Sequence, residues 1–171
     1  MALSKKLVHP DWLAPEHLEP WMSLVALITV LPAHLDSQLT RDSGITHFDY
    51  MVMSMLAEAP DRTLRITELA ARTNGTLSRM SHVLDKLEKR ELIKRVACSE
   101  DARAKNAVLT REGLATWLDS APKHLAEVRR VVTENLSAEQ LQQLRAINEA
   151  LLAKLDPEHK VQMRRPAKQV N

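Results

Sequence analysis

Cysteine is nearly missing from this chain: Cys98 is the only one. A single thiol cannot close an internal disulfide, which fits a reducing, cytoplasmic setting. Glycine is almost as scarce, with three in 171 residues. Gly-rich phosphate loops and dinucleotide fingerprints are thereby excluded. Aromatic residues make up 3% of the chain, so Leu, Ala, Val and Met must fill the core. The opening MALSKKLVHPDW has no apolar run of the kind a secretory signal needs. The longest apolar stretch, Trp21–Leu31, falls short of the ~20 residues that span a bilayer, so no membrane partner is expected. No G-x-S-x-G, H-E-x-x-H or P-loop pattern occurs, and nothing groups the acids and bases for catalysis. An enzyme is not expected, and neither is a cofactor. His9, His17, His34, His47, His82, His124 and His159 never form a cluster with zinc-ligand spacing, so no metal site is expected.

What is present favours helix. Leu, Ala, Glu, Lys and Arg dominate, and 44% of residues are hydrophobic, enough for one domain's core. The net charge of +2 is uninformative, but its distribution is not. Residues 62–111 carry 12 Lys and Arg against 6 Asp and Glu, a net of +6, which leaves −4 for the remainder. The middle of the chain is the candidate for a polyanionic partner.

Periodicity divides the chain further. Trp21, Leu24, Val25, Ile28, Leu31, Leu35 and Leu39 recur at spacings of three and four, predicting a helix over 15–41 that Pro32 should kink or break. Thr46 caps a helix over 47–58, with Phe48, Val52, Met55 and Leu56 on its apolar face. A short extended piece at 63–65 precedes a brief helix starting at Thr67. Asn74 and Gly75 form a turn, and Thr76 opens a helix over 76–90 with the stripe Leu77, Met80, Leu84 and Leu87. Two strand-like runs, 92–98 and 105–109, flank a polar hairpin at 99–103. Helices over 111–135, with a kink at Pro122, and over 138–155 follow. This order predicts a mainly α fold: a winged helix-turn-helix with a two-stranded wing. The expected division is an N-terminal arm over 1–14, helical dimerisation segments at 15–45 and 111–155, a winged helix-turn-helix over 46–110, and a basic tail over 156–171.

In a helix-turn-helix the second helix enters the DNA major groove and reads bases from its N-terminal part. Thr76, Ser78, Arg79, Ser81, His82, Lys86 and Lys89 form the polar side of the helix over 76–90. Arg79 suits a bidentate bond to guanine, and Ser78, Ser81 and His82 are short enough to approach base edges. Lys86 and Lys89 suit phosphate. On the hairpin, Lys94, Arg95, Arg103 and Lys105 gather positive charge, and Asp101 is placed to hold Arg103 for a minor-groove contact. The competing expectation is a winged helix used for dimerisation or protein contacts without specific DNA reading. That use would favour an uncharged wing, which this chain lacks.

Leu92-Ile93-Lys94-Arg95, then Asp101-x-Arg103, then Ala107-Val108-Leu109-Thr110-x-x-Gly113 resembles the wing signature of the MarR (multiple antibiotic resistance regulator) family. Thr76–Glu91 is similar to the recognition helix of many actinobacterial members, and Ala121-Pro122-x-His124 with Val128-Arg129 recurs in that subgroup. The resemblance covers residues 16–155. Glu91 departs from the usual glycine before the wing, and Ala102 from the usual Gly or Arg at its tip. The resemblance implies a homodimeric transcriptional regulator, commonly a repressor, that holds a pseudo-palindromic double-stranded DNA operator. It also implies release by a small, often aromatic or phenolic, effector, for which Trp21, His47, Tyr50 and Met51 are the candidate pocket residues. The peroxide-sensing branch carries its reactive cysteine near the N-terminus, where this chain has none, so Cys98 is not expected to be a redox switch.

Overall fold

The structure is a computed structural model that describes residues 13–98 and 104–161. Six α-helices and three short strands follow in chain order: α1 Pro15–Ser43, α2 His47–Glu58, β1 Thr63–Arg65, α3 Ile66–Arg72, α4 Leu77–Lys89, β2 Ile93–Ala97, β3 Lys105–Leu109, α5 Arg111–Val131 and α6 Ala138–Leu155. Short 3-10 turns at Pro60–Arg62 and Thr133–Asn135 link β1 to α2 and α6 to α5. The chain divides into two compact units, Met1–His34 and Leu35–Asn171, and the boundary falls inside α1.

The first unit holds the N-terminal part of α1. Pro20 and Pro32 both lie inside this helix, which runs on to Ser43 rather than breaking. Pro32 costs a ladder bond to the Ile28 carbonyl, but the turns on either side keep theirs. An 18-residue window of α1 reaches a mean hydropathy of 1.4, so by length and composition alone the helix could cross a membrane. The run Trp21–Leu31 is shorter than this window because the window takes in flanking residues that include few charges. Its apolar side chains are exposed, Trp21 by 49% and Val30 by 66%.

The second unit has one core. Leu39 and Ile45 meet Val52, Met53 and Leu56 of α2, Leu69 of α3, Met80, Leu84 and Leu87 of α4, and Ile93, Ala107 and Leu109 of the sheet. On α4 the buried stripe is Met80, Val83, Leu84 and Leu87. The predicted Leu77 is instead 56% exposed: it shares the phase of the stripe but occupies the first helical position after the Thr76 cap, where the core does not reach to cover it. The sheet order is β1-β3-β2, all antiparallel. The wing is therefore backed by a third strand: Leu64 of β1 pairs with Ala107, and Arg95 of β2 pairs with the same residue from the other side.

Both ends of the helix-turn-helix are closed by Schellman caps, in which a left-handed residue lets the chain satisfy the last carbonyls. At the end of α3, Asn74 takes a φ of 50°, and the Asn74 and Gly75 amides donate to Ala71 and Ala70. At the end of α4, Glu91 takes a φ of 60°, and the Glu91 and Leu92 amides donate to Glu88 and Leu87. The left-handed conformation explains why glycine suits the position that Glu91 fills.

Candidate DNA-binding surface

α4 carries most of the predicted contacts. Thr76 caps it, its hydroxyl accepting from the Arg79 amide at 3.1 Å. Ser78, Arg79, Ser81, His82 and Lys89 are exposed along one side, and Thr76 is exposed at its head. On the wing, Lys105 of β3 is also exposed. The Arg79 guanidinium lies over the Phe48 ring, 3.8 Å from its centroid.

Two predicted phosphate or groove contacts have other partners. The Lys86 ammonium donates to Asp49, a fully buried carboxylate at the start of α2. Arg95 bridges β2 to α4: its Nε donates to Glu88 Oε2 at 2.9 Å, its backbone amide to Glu88 Oε1 at 2.8 Å, and Nη2 to Asp85. The hydrogen bond from Arg95 holds the Asp85 carboxyl below the usual carboxylate range. Lys86 and Arg95 thus set the pose of α4 relative to α2 and the wing. Neither pairing is legible from local pattern: Asp49 lies 37 residues from Lys86, and Arg95 meets Asp85 and Glu88 only because β2 folds back along α4. Asp101 and Arg103, the predicted pair at the wing tip, lie outside the described residues.

Of the four candidate pocket residues, Trp21 stands exposed on the first unit. His47, Tyr50 and Met51 lie half-buried on α2. A partner the sequence did not single out for them is His124 of α5. Its ring centroid lies 4.5 Å from that of Tyr50 and 5.6 Å from that of His47, and its Nδ1 meets Gln38 Oε1 at 3.3 Å. Gln38 in turn donates to Asp42, and the His47 amide donates to Asp36. The subgroup pattern at Ala121-Pro122-x-His124 was the only signal available. A cleft of about 600 Å³ lies elsewhere, between the α3–α4 turn and the end of α6, and none of the four lines it. Among the described residues no three His, Cys, Asp or Glu side chains are grouped to hold a metal.

Both histidines titrate below their usual value. Burial lowers His47, against a weaker pull from Asp36, and burial lowers His124 with His47 adding to it. Burial likewise raises Tyr50. A depressed folded-state value means the unfolded chain holds the proton more tightly. Stability from these neutral rings is therefore complete above pH ~6.5 and is lost as pH falls from there towards the folded-state values. The unfolding free energy should fall on acidification below that point, with a limiting slope of about 1.4 kcal/mol per pH unit for each histidine, and the melting temperature should fall with it. Replacing both with glutamine should flatten the profile; an unaltered profile would assign the acid sensitivity to other groups.

The family model described as MarR family matches residues 45–105. Sco3205 of Streptomyces coelicolor, a MarR family transcriptional regulator solved in complex with DNA, is 39% identical. That match covers 88% of this chain and 94% of that one, with a TM-score of 0.83. AbsC, a MarR family transcriptional regulator of the same organism, is 30% identical over 86% of this chain and 99% of its own, with a TM-score of 0.81. The HTH-type transcriptional repressor YetL of Bacillus subtilis is 32% identical over 107 residues, 63% of this chain and 64% of its own. With the winged helix in place and the two Streptomyces regulators this similar along nearly their whole length, the chain belongs to the MarR family and is a winged-helix transcriptional regulator, not an enzyme.

Proposed function

We propose that this regulator is a cytoplasmic repressor that binds a pseudo-palindromic operator as a two-fold homodimer and leaves it when a small aromatic or phenolic effector binds. The observation that carries the DNA reading is Arg79. It stands on the first turn of an exposed polar helix face, and among the described residues its guanidinium donates to no acceptor. A fork in that position suits guanine O6 and N7 in the major groove. Ser78, Ser81 and His82 would approach neighbouring bases, while Thr76, Lys89 and Lys105 would touch the backbone. That Sco3205 was solved with DNA supports the same reading.

The dimer is supported by apolar surface left without cover. In the first unit, Trp21, Met22, Ile28 and Val30 of α1 are exposed; in the second, Ile147, Leu151, Leu152 and Leu155 of α6 are. Solvated apolar stripes of this length are unusual on a monomer. Burial against a second copy, through segments 15–45 and 111–155, accounts for the hydropathy of α1 without a bilayer. Two heads related by a two-fold axis would read half-sites ~34–36 Å apart. The effector rests on the family resemblance, with His47, Tyr50, Met51 and Trp21 as candidate contacts.

The test is a fluorescence-anisotropy titration at ~0.15 M salt, using a duplex selected by the protein from a random library and a scrambled control. A preference of ~10³-fold or more, saturating at one dimer per duplex, is expected. Arg79→Ala should cost roughly 1–3 kcal/mol on the selected duplex and relax the preference at one base pair. Equal weak binding to all duplexes would favour a winged helix used for protein contacts. Phenolic compounds that leave both DNA affinity and melting temperature unchanged would remove the effector.

A further inference from the structure

Phe48 stands on the first turn of α2 and Arg79 on the first turn of α4, 3.8 Å apart from guanidinium carbon to ring centroid. Phe48 is the only phenylalanine in the chain and is half-buried. A Cβ at Gly75 would lie 3.0 Å from the Phe48 Cζ. The left-handed residue of this turn is Asn74, so Gly75 serves space rather than backbone conformation. A side chain there would press the ring back by a few tenths of an ångström from the head of the recognition helix.

A guanidinium offers two kinds of surface. Its face stacks on aromatic rings, and its edge carries five N–H donors. Stacking on Phe48 occupies the face and leaves the edge free. Among the described residues that edge meets no acceptor. We propose that Phe48 is a specificity-positioning residue: its ring holds the Arg79 guanidinium at the head of α4 with the donor edge open, aimed before DNA arrives. This rests on the reading of Arg79 as a base contact. Fixing a flexible side chain in advance lowers the entropy lost on binding. The gain goes to sequences that satisfy the fork, so discrimination changes while charge-driven affinity does not.

The probe is the duplex selected by the wild-type protein from a random library, together with its single-base variants. Arg79→Ala first identifies the base that Arg79 reads. Phe48→Leu keeps an apolar group beside Gly75 but removes the ring face; Phe48→Tyr keeps the face. The leucine variant should lose about two- to fivefold of the preference at that base, the size of an exposed cation–π contact. The tyrosine variant should retain the preference, and both should bind scrambled duplex with the wild-type salt slope. In the Arg79→Ala background, Phe48→Leu should change nothing further. Phe48→Met serves the same comparison if the leucine variant melts below the assay temperature. A leucine variant with full preference, an equal loss on every duplex, or additive losses in the double variant would overturn the proposal. If Arg79→Ala itself weakens all duplexes alike, the base reading fails and the proposal with it. That outcome is distinct from one in which Arg79→Ala relaxes a single base and Phe48→Leu does not.

Discussion

Gly113→Ala should lower the melting temperature of this protein by ~10 °C and weaken operator binding with it. Gly113 is buried in the first turn of α5, where its amide donates to the Thr110 hydroxyl at 2.9 Å. An added Cβ would lie 2.0 Å from the Leu92 carbonyl oxygen, 2.9 Å from its carbon and 2.8 Å from Leu109 Cδ1. The first two are backbone atoms and cannot swing away. The Leu92 oxygen also accepts from the Thr110 amide at 3.1 Å and the Thr110 hydroxyl at 3.0 Å, so moving it strains bonds on both sides. Overpacking typically costs 1–3 kcal/mol and occasionally more, and a 2.0 Å approach to a fixed backbone oxygen places this site at about 4 kcal/mol. The better helix propensity of alanine returns only about 1 kcal/mol. A net loss of ~3 kcal/mol converts to ~10 °C at this chain length. Because Leu92 lies between α4 and β2, the same shift moves the wing against the recognition helix. Melting at matched protein concentration is the measurement; a variant within ~2 °C of wild type would mean the junction opens without strain.

Gly113 also shows what the sequence could and could not convey. Its place in Ala107-Val108-Leu109-Thr110-x-x-Gly113 was legible, and the reason, a carbonyl arriving from the other side of the wing, was not. Helices with a strong period, such as α2 and α4, were readable because side-chain spacing reports one buried face. Leu77 was misplaced because periodicity ignores the cap: a residue just inside the helix start shares the phase of the stripe but not its cover. The two-stranded wing and the extended piece at 63–65 form as expected, but the pairing of β1 with β3 joins segments far apart in sequence, which no local pattern encodes. The end of α5 at Val131, before the predicted 135, follows from a switch to a 3-10 turn at Thr133–Asn135. Charge was the least legible property. The sequence counts cations, and only the fold reveals that Lys86 and Arg95 are held by acids while Arg79 rests on a ring.

Lys86→Met should therefore act on stability and leave the electrostatics of DNA binding alone. Asp49 is fully buried, accepts from the Thr46 amide at 2.8 Å and from Lys86, and has one carboxylate oxygen without a hydrogen-bond partner. Removing the ammonium leaves a buried charge with a single backbone donor. Losing one partner of a buried pair costs about 3–5 kcal/mol. Lys86 is 41% exposed, so part of its contribution is already screened by water, and about 2–3 kcal/mol is the expected loss. Replacing Asp49 with serine in the same chain should recover part of it, because the uncompensated charge disappears. The two roles for Lys86 differ in salt dependence. A lysine on phosphate contributes about one unit to the slope of log affinity against log salt; a lysine committed to Asp49 contributes none. Lower melting temperature with an unchanged slope would make Lys86 the strut that fixes α4 on α2. A slope reduced by about one unit, with melting unchanged, would mean the ammonium leaves Asp49 for the DNA backbone when the operator is bound.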